Sequence, residues 1–309
     1  MEGSSPPRSG TSTSAEDAIP GPGPPGRVVA IANQKGGVGK TTTAVNLSAA
    51  LAELGRKILV VDLDPQGNAS TGLGIDPGQR QTGIYQVVSA GTPVERSIME
   101  TVVPGVWMVP STIDLAGAEI ELVGQFSRET RLARAIETVA PTYDFVVLDC
   151  PPSLGLLTVN ALTASDELIV PIQCEYYALE GLGQLLRNVR LTQQNLNPKL
   201  RLTGIVLTMY NPRTRLSEQV VEEVKRYFGA RVYDTVIPRT VRLSEAPGFG
   251  QPITSYDPRS KGAKAHRHLA REFLTREASE VAEVAAEPIP DMEPPSVIGV
   301  ERSDGGEEG

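Results

Sequence analysis

The sequence predicts an α/β protein with a doubly wound, mostly parallel sheet flanked by helices. Three observations carry this. Seven short segments rich in Val, Ile and Leu are apolar on both faces, as strands covered on both sides by helices must be. Longer helix-like segments alternate with them along the chain. A glycine-rich loop joins the first such strand to the first such helix, the place where doubly wound sheets bind ligands. The 309-residue chain is 40% hydrophobic and 21% charged, which is globular in character.

In order, strands are expected over 27–32, 57–62, 106–109, 144–149, 167–172, 202–208 and 232–237. Helices are expected over 40–54, 128–139, 154–164, 179–194, 215–228 and 261–276. Residues 27–276 are read as one domain. Before it, 18 of the 26 residues of segment 1–26 are Gly, Pro, Ser or Thr, a composition that buries too little apolar surface to offset its ordering entropy, so a disordered tail is expected. After it, segment 277–309 holds ten acids and one base and is expected to be a second, acidic, disordered tail.

The formal charge of −8 is unevenly spread: the last 33 residues contribute −9 and the first 26 contribute −2, leaving the core at +3. The acidic balance of the whole chain is therefore no argument against a nucleic-acid partner. No apolar run approaches the ~18 residues of a membrane span. No basic-then-apolar leader is visible, and two cysteines are too few for a disulfide scaffold, so a cytoplasmic location is expected.

The strongest motif is RVVAIANQKGGVGKTTT, residues 27–43. Gly36, Gly37 and Gly39 allow the backbone around Val38 to turn its N–H groups inward, and the positive end of the next helix adds to this phosphate cradle. Lys40 supplies charge near β- and γ-phosphates, the Thr41 hydroxyl is suited to Mg²⁺, and Thr42 follows on the helix. ATP with Mg²⁺ is the implied cofactor. The ordinary GxxxxGK[ST] pattern would place its first glycine at Gln34, and a second lysine, Lys35, heads the loop instead.

Acidic residues end two of the strands. Asp149 closes FVVLD, where a carboxylate can hold Mg²⁺ through water. Asp62 and Asp64 follow the second strand in VVDLDPQGNAS, where a carboxylate can orient the attacking water or respond to the γ-phosphate. Nucleotide hydrolysis needs a metal, a placed water and positive charge on the phosphates, and residues for each are present.

The form KGGVGKTT resembles the deviant Walker A group of P-loop ATPases. With VDLDPQGNAS, LDCPPS and VIPRTVRLSEAPGFGQPITSYDPRSKGA, the chain resembles the ParA/Soj family of chromosome- and plasmid-partitioning ATPases from about residue 28 to 270. The resemblance implies an ATP-driven sandwich homodimer in which Lys35 reaches the partner subunit's nucleotide. It also implies that Asp64 is required for hydrolysis, with Asp62 in support, and that Pro238 lies near the adenine. The dimer would bind double-stranded DNA without sequence preference, on the nucleoid, and a ParB-like centromere-binding protein would stimulate hydrolysis and release it.

Arg213 and Arg242 are the arginines that the resemblance favours for DNA phosphates. Arg215, Arg239, Lys225 and Arg226 are weaker candidates. Exposed arginines ordinarily form local ion pairs worth ~0–1 kcal/mol.

Two other signals point elsewhere. His266 and His268, two residues apart on a helix, do not share a face suited to a metal. The spacing of Cys150 and Cys174, with Pro-Pro after Cys150, does not fit the cluster-sharing nitrogenase iron protein. A membrane-cycling relative of the MinD kind would need a basic amphipathic C-terminal helix, and this C-terminal segment is acidic. A carboxylate-activating synthetase is disfavoured by the PRTVRLSEAP segment.

Overall fold

The computed structural model describes residues 26–175, 179 and 182–276. The expected tails, 1–26 and 277–309, lie outside the described residues but for Gly26. Seven strands form one sheet: β1 (Arg27–Ile31), β2 (Ile58–Asp62), β3 (Met99–Glu100), β4 (Val106–Val109), β5 (Phe145–Asp149), β6 (Glu167–Gln173) and β7 (Arg201–Thr208). Their spatial order is β3-β4-β2-β5-β1-β6-β7, and every neighbouring pair is parallel except β3 with β4.

The helices are α1 (Lys40–Glu53), α2 (Asn68–Gly72), α3 (Ile84–Ala90), α4 (Leu115–Leu122), α5 (Arg131–Val139), α6 (Leu156–Ala164), α7 (Leu182–Asn195), α8 (Arg215–Phe228), α9 (Val241–Glu245), α10 (Ile253–Tyr256) and α11 (Lys261–Arg276). Alternate residues of each strand enter opposite cores, as the pleat requires. Val29, Ile31, Ile58, Val60, Phe145 and Val147 pack with Leu47 and Leu51 of α1 and Leu269 and Phe273 of α11. Val28, Ala30, Leu59, Val61, Val146 and Leu148 pack on the other side with Ile136 of α5, Leu157 of α6, Leu185 of α7 and Val224 of α8.

The expected strand over 232–237 does not form. That segment meets β7 through isolated contacts, the Tyr233 N–H donating to the Ile205 carbonyl at 2.9 Å and the Ile237 N–H to the Leu207 carbonyl at 2.8 Å, with single bridges of Ile205 with Val232 and, past the end of β7, of Tyr210 with Pro238. Between them the N–H groups of Asp234 and Thr235 donate to the two Glu272 carboxylate oxygens, at 2.7 and 2.9 Å. A side chain of α11 thus satisfies the two N–H groups where the segment departs from β7, among them that of Thr235, which a continuous ladder would turn toward β7. Gly204 of β7 lets this segment approach, because the Tyr233 ring occupies the space a Cβ would fill. The seventh strand is instead β3, two residues long and antiparallel at the sheet edge, too short to give a period-two signal. Expectation and structure also differ at helix starts: residues 128–130 form a 3₁₀ turn before α5, and α6 begins at Leu156.

Because the strands around β1 are parallel, the loops after β1, β2 and β5 leave the same end of the sheet. In register, Asp149 of β5 lies beside Ile31 of β1 on one side and Asp62 of β2 on the other.

Candidate nucleotide site

The loop between β1 and α1 bends at two glycines with positive φ, Gly37 (74°) and Gly39 (88°). Gly36 and Gly37 are exposed, Val38 is buried, and Lys35, Thr41 and Thr42 are half-buried. Two neighbouring strands pin the loop. The Asn33 amide donates to the Pro171 carbonyl of β6 at 2.7 Å, and its carbonyl oxygen accepts the Lys35 N–H at 3.1 Å. The Thr208 hydroxyl, at the end of β7, donates to the Val38 carbonyl at 2.8 Å. The loop is thus held in shape by contacts that need no nucleotide.

Lys40 is 6% exposed, and its ammonium donates to the Lys35 carbonyl at 3.2 Å. Burial lowers its pKa, opposed by acidic neighbours, Asp149 foremost. Asp149 is fully buried, and neither carboxylate oxygen has a hydrogen-bond partner in good geometry. Burial, then the adjacent Asp62 charge, push its carboxyl well up, while Thr41 and Lys40 beside it pull the other way. A buried carboxylate with both oxygens unsatisfied is costly unless a cation or its water completes it. With the Thr41 hydroxyl beside it, this donor set fits a hard divalent cation such as Mg²⁺.

The other two aspartates differ sharply. Asp62 is fully buried and satisfied: Oδ1 accepts the Asp64 N–H at 3.2 Å, and Oδ2 accepts the Ser70 N–H and hydroxyl at 2.9 and 2.7 Å. Burial raises its pKa to about 6 against those hydrogen bonds. Asp64 is 8% exposed and heads the turn 64–67, with Oδ1 accepting the Gln66 N–H at 2.9 Å.

The structure therefore brings Lys40, Thr41, Asp64 and Asp149 to one end of the sheet. Pro238 is half-buried and bridged to Tyr210, two residues past the strand end that holds Val38. Arg213 and Arg242 stand apart from this cluster. Arg213 is exposed on the loop between β7 and α8. Arg242, on α9, is paired with Glu245 at 3.1 Å and Asp257 at 3.6 Å and lies over the Tyr256 ring. Arg239 pairs with Glu175 and Lys225 with Asp234, each at 3.1 Å. Both cysteines are buried free thiols. No helix among the described residues is long and apolar enough to cross a membrane.

Sequence reasoning missed Asn33 and Thr208, which hold the loop, and Asn46. The Asn46 side chain donates to the Thr42 carbonyl at 2.7 Å and accepts the Ile253 N–H at 2.6 Å, tying α1 to α10. Asn33 was within reach, standing two residues before Lys35. Thr208 and Asn46 act on distant segments and carry no local signal.

A parallel sheet with this loop after its first strand, and carboxylates after the strands on one side, defines a P-loop NTPase. A family model described as an AAA domain matches residues 26–202. The sporulation initiation inhibitor protein Soj of Bacillus subtilis is 58% identical over 80% of this chain and 98% of its own length. The chromosome partitioning protein ParA of Caulobacter vibrioides is 52% identical over 84% and 98%. A solved structure described as cobyrinic acid a,c-diamide synthase from Mycobacterium smegmatis, with bound ATP analog and magnesium, is 39% identical with a TM-score of 0.73, covering 86% of this chain and 99% of that one. The chain belongs to the Soj/ParA family of chromosome-partitioning ATPases.

Proposed function

We propose that this protein binds and hydrolyses ATP with Mg²⁺, and that its ATP-bound homodimer binds double-stranded DNA without sequence preference. A ParB-like centromere-binding partner then stimulates hydrolysis and releases the dimer from the nucleoid. The observation that carries the ATPase reading is the unsatisfied, buried Asp149 carboxylate beside Lys40 and Thr41. Similarity to Soj and ParA supports the partitioning role.

In this reading the N–H groups of residues 36–41 receive the phosphates, and Lys40 neutralises the β/γ oxygens. Thr41 and Asp149 hold Mg²⁺, which supplies Lewis-acid charge on the phosphates. Asp64 orients the attacking water. Lys35 completes the partner's site across the dimer, and Pro238 packs near the adenine. Arg213 and Arg242 contact DNA phosphates.

Co-sedimentation in the presence of ATP, with plasmid DNA in one arm and anionic liposomes in the other, tests this function. ATP-dependent recovery with DNA alone is expected. Recovery with liposomes alone would replace the DNA reading with membrane cycling, and ATP turnover that depends on a small-molecule amide donor and carboxylate would replace it with a synthetase.

A further inference from the structure

Ser70 has no part in the phosphate site, yet it is fully buried and holds three segments together at one point. A serine inside a helix ordinarily bonds the carbonyl four residues back. Thr71 does this, donating to Gly67 at 3.1 Å. Ser70 instead directs both its N–H and its hydroxyl to Asp62 Oδ2. Its hydroxyl oxygen in turn accepts the Ser111 N–H at 3.1 Å.

A buried chain of hydrogen bonds therefore runs from the Asp64 N–H through Asp62 and Ser70 to Ser111. It joins the acidic turn, α2 and the segment after β4. The Arg80 guanidinium braces the same junction from outside, reaching the Thr71 hydroxyl at 2.8 Å and the Ser111 carbonyl at 3.3 Å.

This matters for Asp64 because its own bonds are local. Its carboxylate bonds within the turn to Gln66, and its carbonyl accepts the Gly67 N–H at 2.9 Å. The last bond tying this stretch to the sheet is that of the Leu63 N–H to the Asp149 carbonyl at 2.9 Å. Past it, the height of the turn above the sheet depends on the Asp62–Ser70 junction. Both oxygens of Asp62 are engaged by that junction, Oδ2 by two donors and Oδ1 by one.

We propose that Ser70 is a positioning residue for ATP hydrolysis, acting through Asp62 to hold the backbone of Asp64 where its carboxylate meets the attacking water. The inference rests on the role given above to Asp64. It separates the two aspartates of the DLD sequence, giving placement to Asp62 and chemistry to Asp64.

The test compares wild type, Ser70→Ala, Ser70→Thr and Asp64→Ala. Nucleotide sites are counted by titration with a fluorescent ATP analogue, and ATP turnover is expressed per counted site, so that misfolded protein does not enter the rate. Ser70→Ala should bind the analogue within about threefold of wild type but turn over roughly tenfold slower, since small displacements of a reacting group are costly. Ser70→Thr, which keeps the hydroxyl, should recover to within about threefold. Wild-type turnover per site in Ser70→Ala overturns the proposal, as does equal slowing in both Ser70 variants. Loss of analogue binding in Ser70→Ala also overturns it, because the junction would then build the nucleotide site itself. Normal turnover in Asp64→Ala overturns the underlying role of Asp64 instead, whatever Ser70→Ala does.

Discussion

Asp62 and Asp149 end neighbouring parallel strands in register, and both are fully buried. One is satisfied by donors from Ser70 and Asp64, while the other, with the Thr41 hydroxyl beside it, makes no hydrogen bond of good geometry. The pair stores unfavourable electrostatics at the place where a cation would relieve it.

Asp149→Asn should therefore stabilise the nucleotide-free protein near neutral pH, by about 1–2 kcal/mol, while abolishing Mg²⁺-dependent nucleotide binding. The sign follows from its raised carboxyl pKa. The folded state holds that proton more tightly than the unfolded chain does, so stability is fullest in acid and lost as pH rises. The gain from Asn should be present at pH 8 and vanish near pH 4. Denaturant midpoints at the two values check this, and a variant less stable than wild type at both would contradict it.

Lys40→Ala removes a charged donor that burial has already stripped of most of its water. ATP affinity should fall by at least tenfold, the worth of a charge-assisted hydrogen bond of about 1.5–3 kcal/mol. Equilibrium binding of a fluorescent ATP analogue measures it. Affinity close to wild type would remove Lys40 from the phosphate site.

Asp64→Ala should leave Lys40, Thr41 and Asp149 in place and so retain ATP. Lacking the group that orients water, it should lose at least ~100-fold in turnover and accumulate as an ATP-bound dimer. Gel filtration with and without ATP, beside a phosphate-release assay, separates the two effects. A protein that stays monomeric with ATP would count against this assignment.

If Arg242 contacts DNA, phosphates would compete with its ion pairs to Glu245 and Asp257. Arg242→Glu should weaken binding to all DNA sequences alike and flatten its salt dependence, since fewer counterions are released. Glu245→Gln should do the reverse at low salt, by a few-fold at most, because exposed ion pairs contribute only ~0–1 kcal/mol. A salt series of DNA binding with ATP reads both. If neither variant moves the curve, the DNA face lies elsewhere.

His266 offers a pH dependence unconnected with the nucleotide. It is fully buried on α11, its Nδ1 lies 2.9 Å from the Gly262 carbonyl, and burial pushes its pKa down to about 4. The unfolded chain, titrating near 6.5, takes up the proton first. Stability is therefore complete above about pH 6.5 and falls as pH drops toward 4, by on the order of 3 kcal/mol. His266→Leu should reduce that slope. Denaturant midpoints at pH 7.5 and 4.5 for both proteins test it, and parallel losses would assign the acid sensitivity to other groups.

The sequence alone determined the alternation of strands and helices, the loop from Lys35 to Thr42, and the carboxylates at strand ends. These are matters of local spacing: a period of two or 3.6 residues, or a turn that only glycine permits, is written within a few neighbouring positions. The tertiary structure decided what distant segments do to one another. Glu272 on α11 accepts the N–H groups of Asp234 and Thr235 where a segment that the apolar pattern reads as a strand leaves β7. Thr208 fixes the Val38 carbonyl across 170 residues of sequence. Ser70 and the parallel register of β2 with β5 give Asp62 and Asp149, alike in sequence context, opposite states of satisfaction. Burial and hydrogen-bond partnership depend on which chain segments meet, and that is settled by packing the two faces of the sheet, beyond the reach of any local pattern.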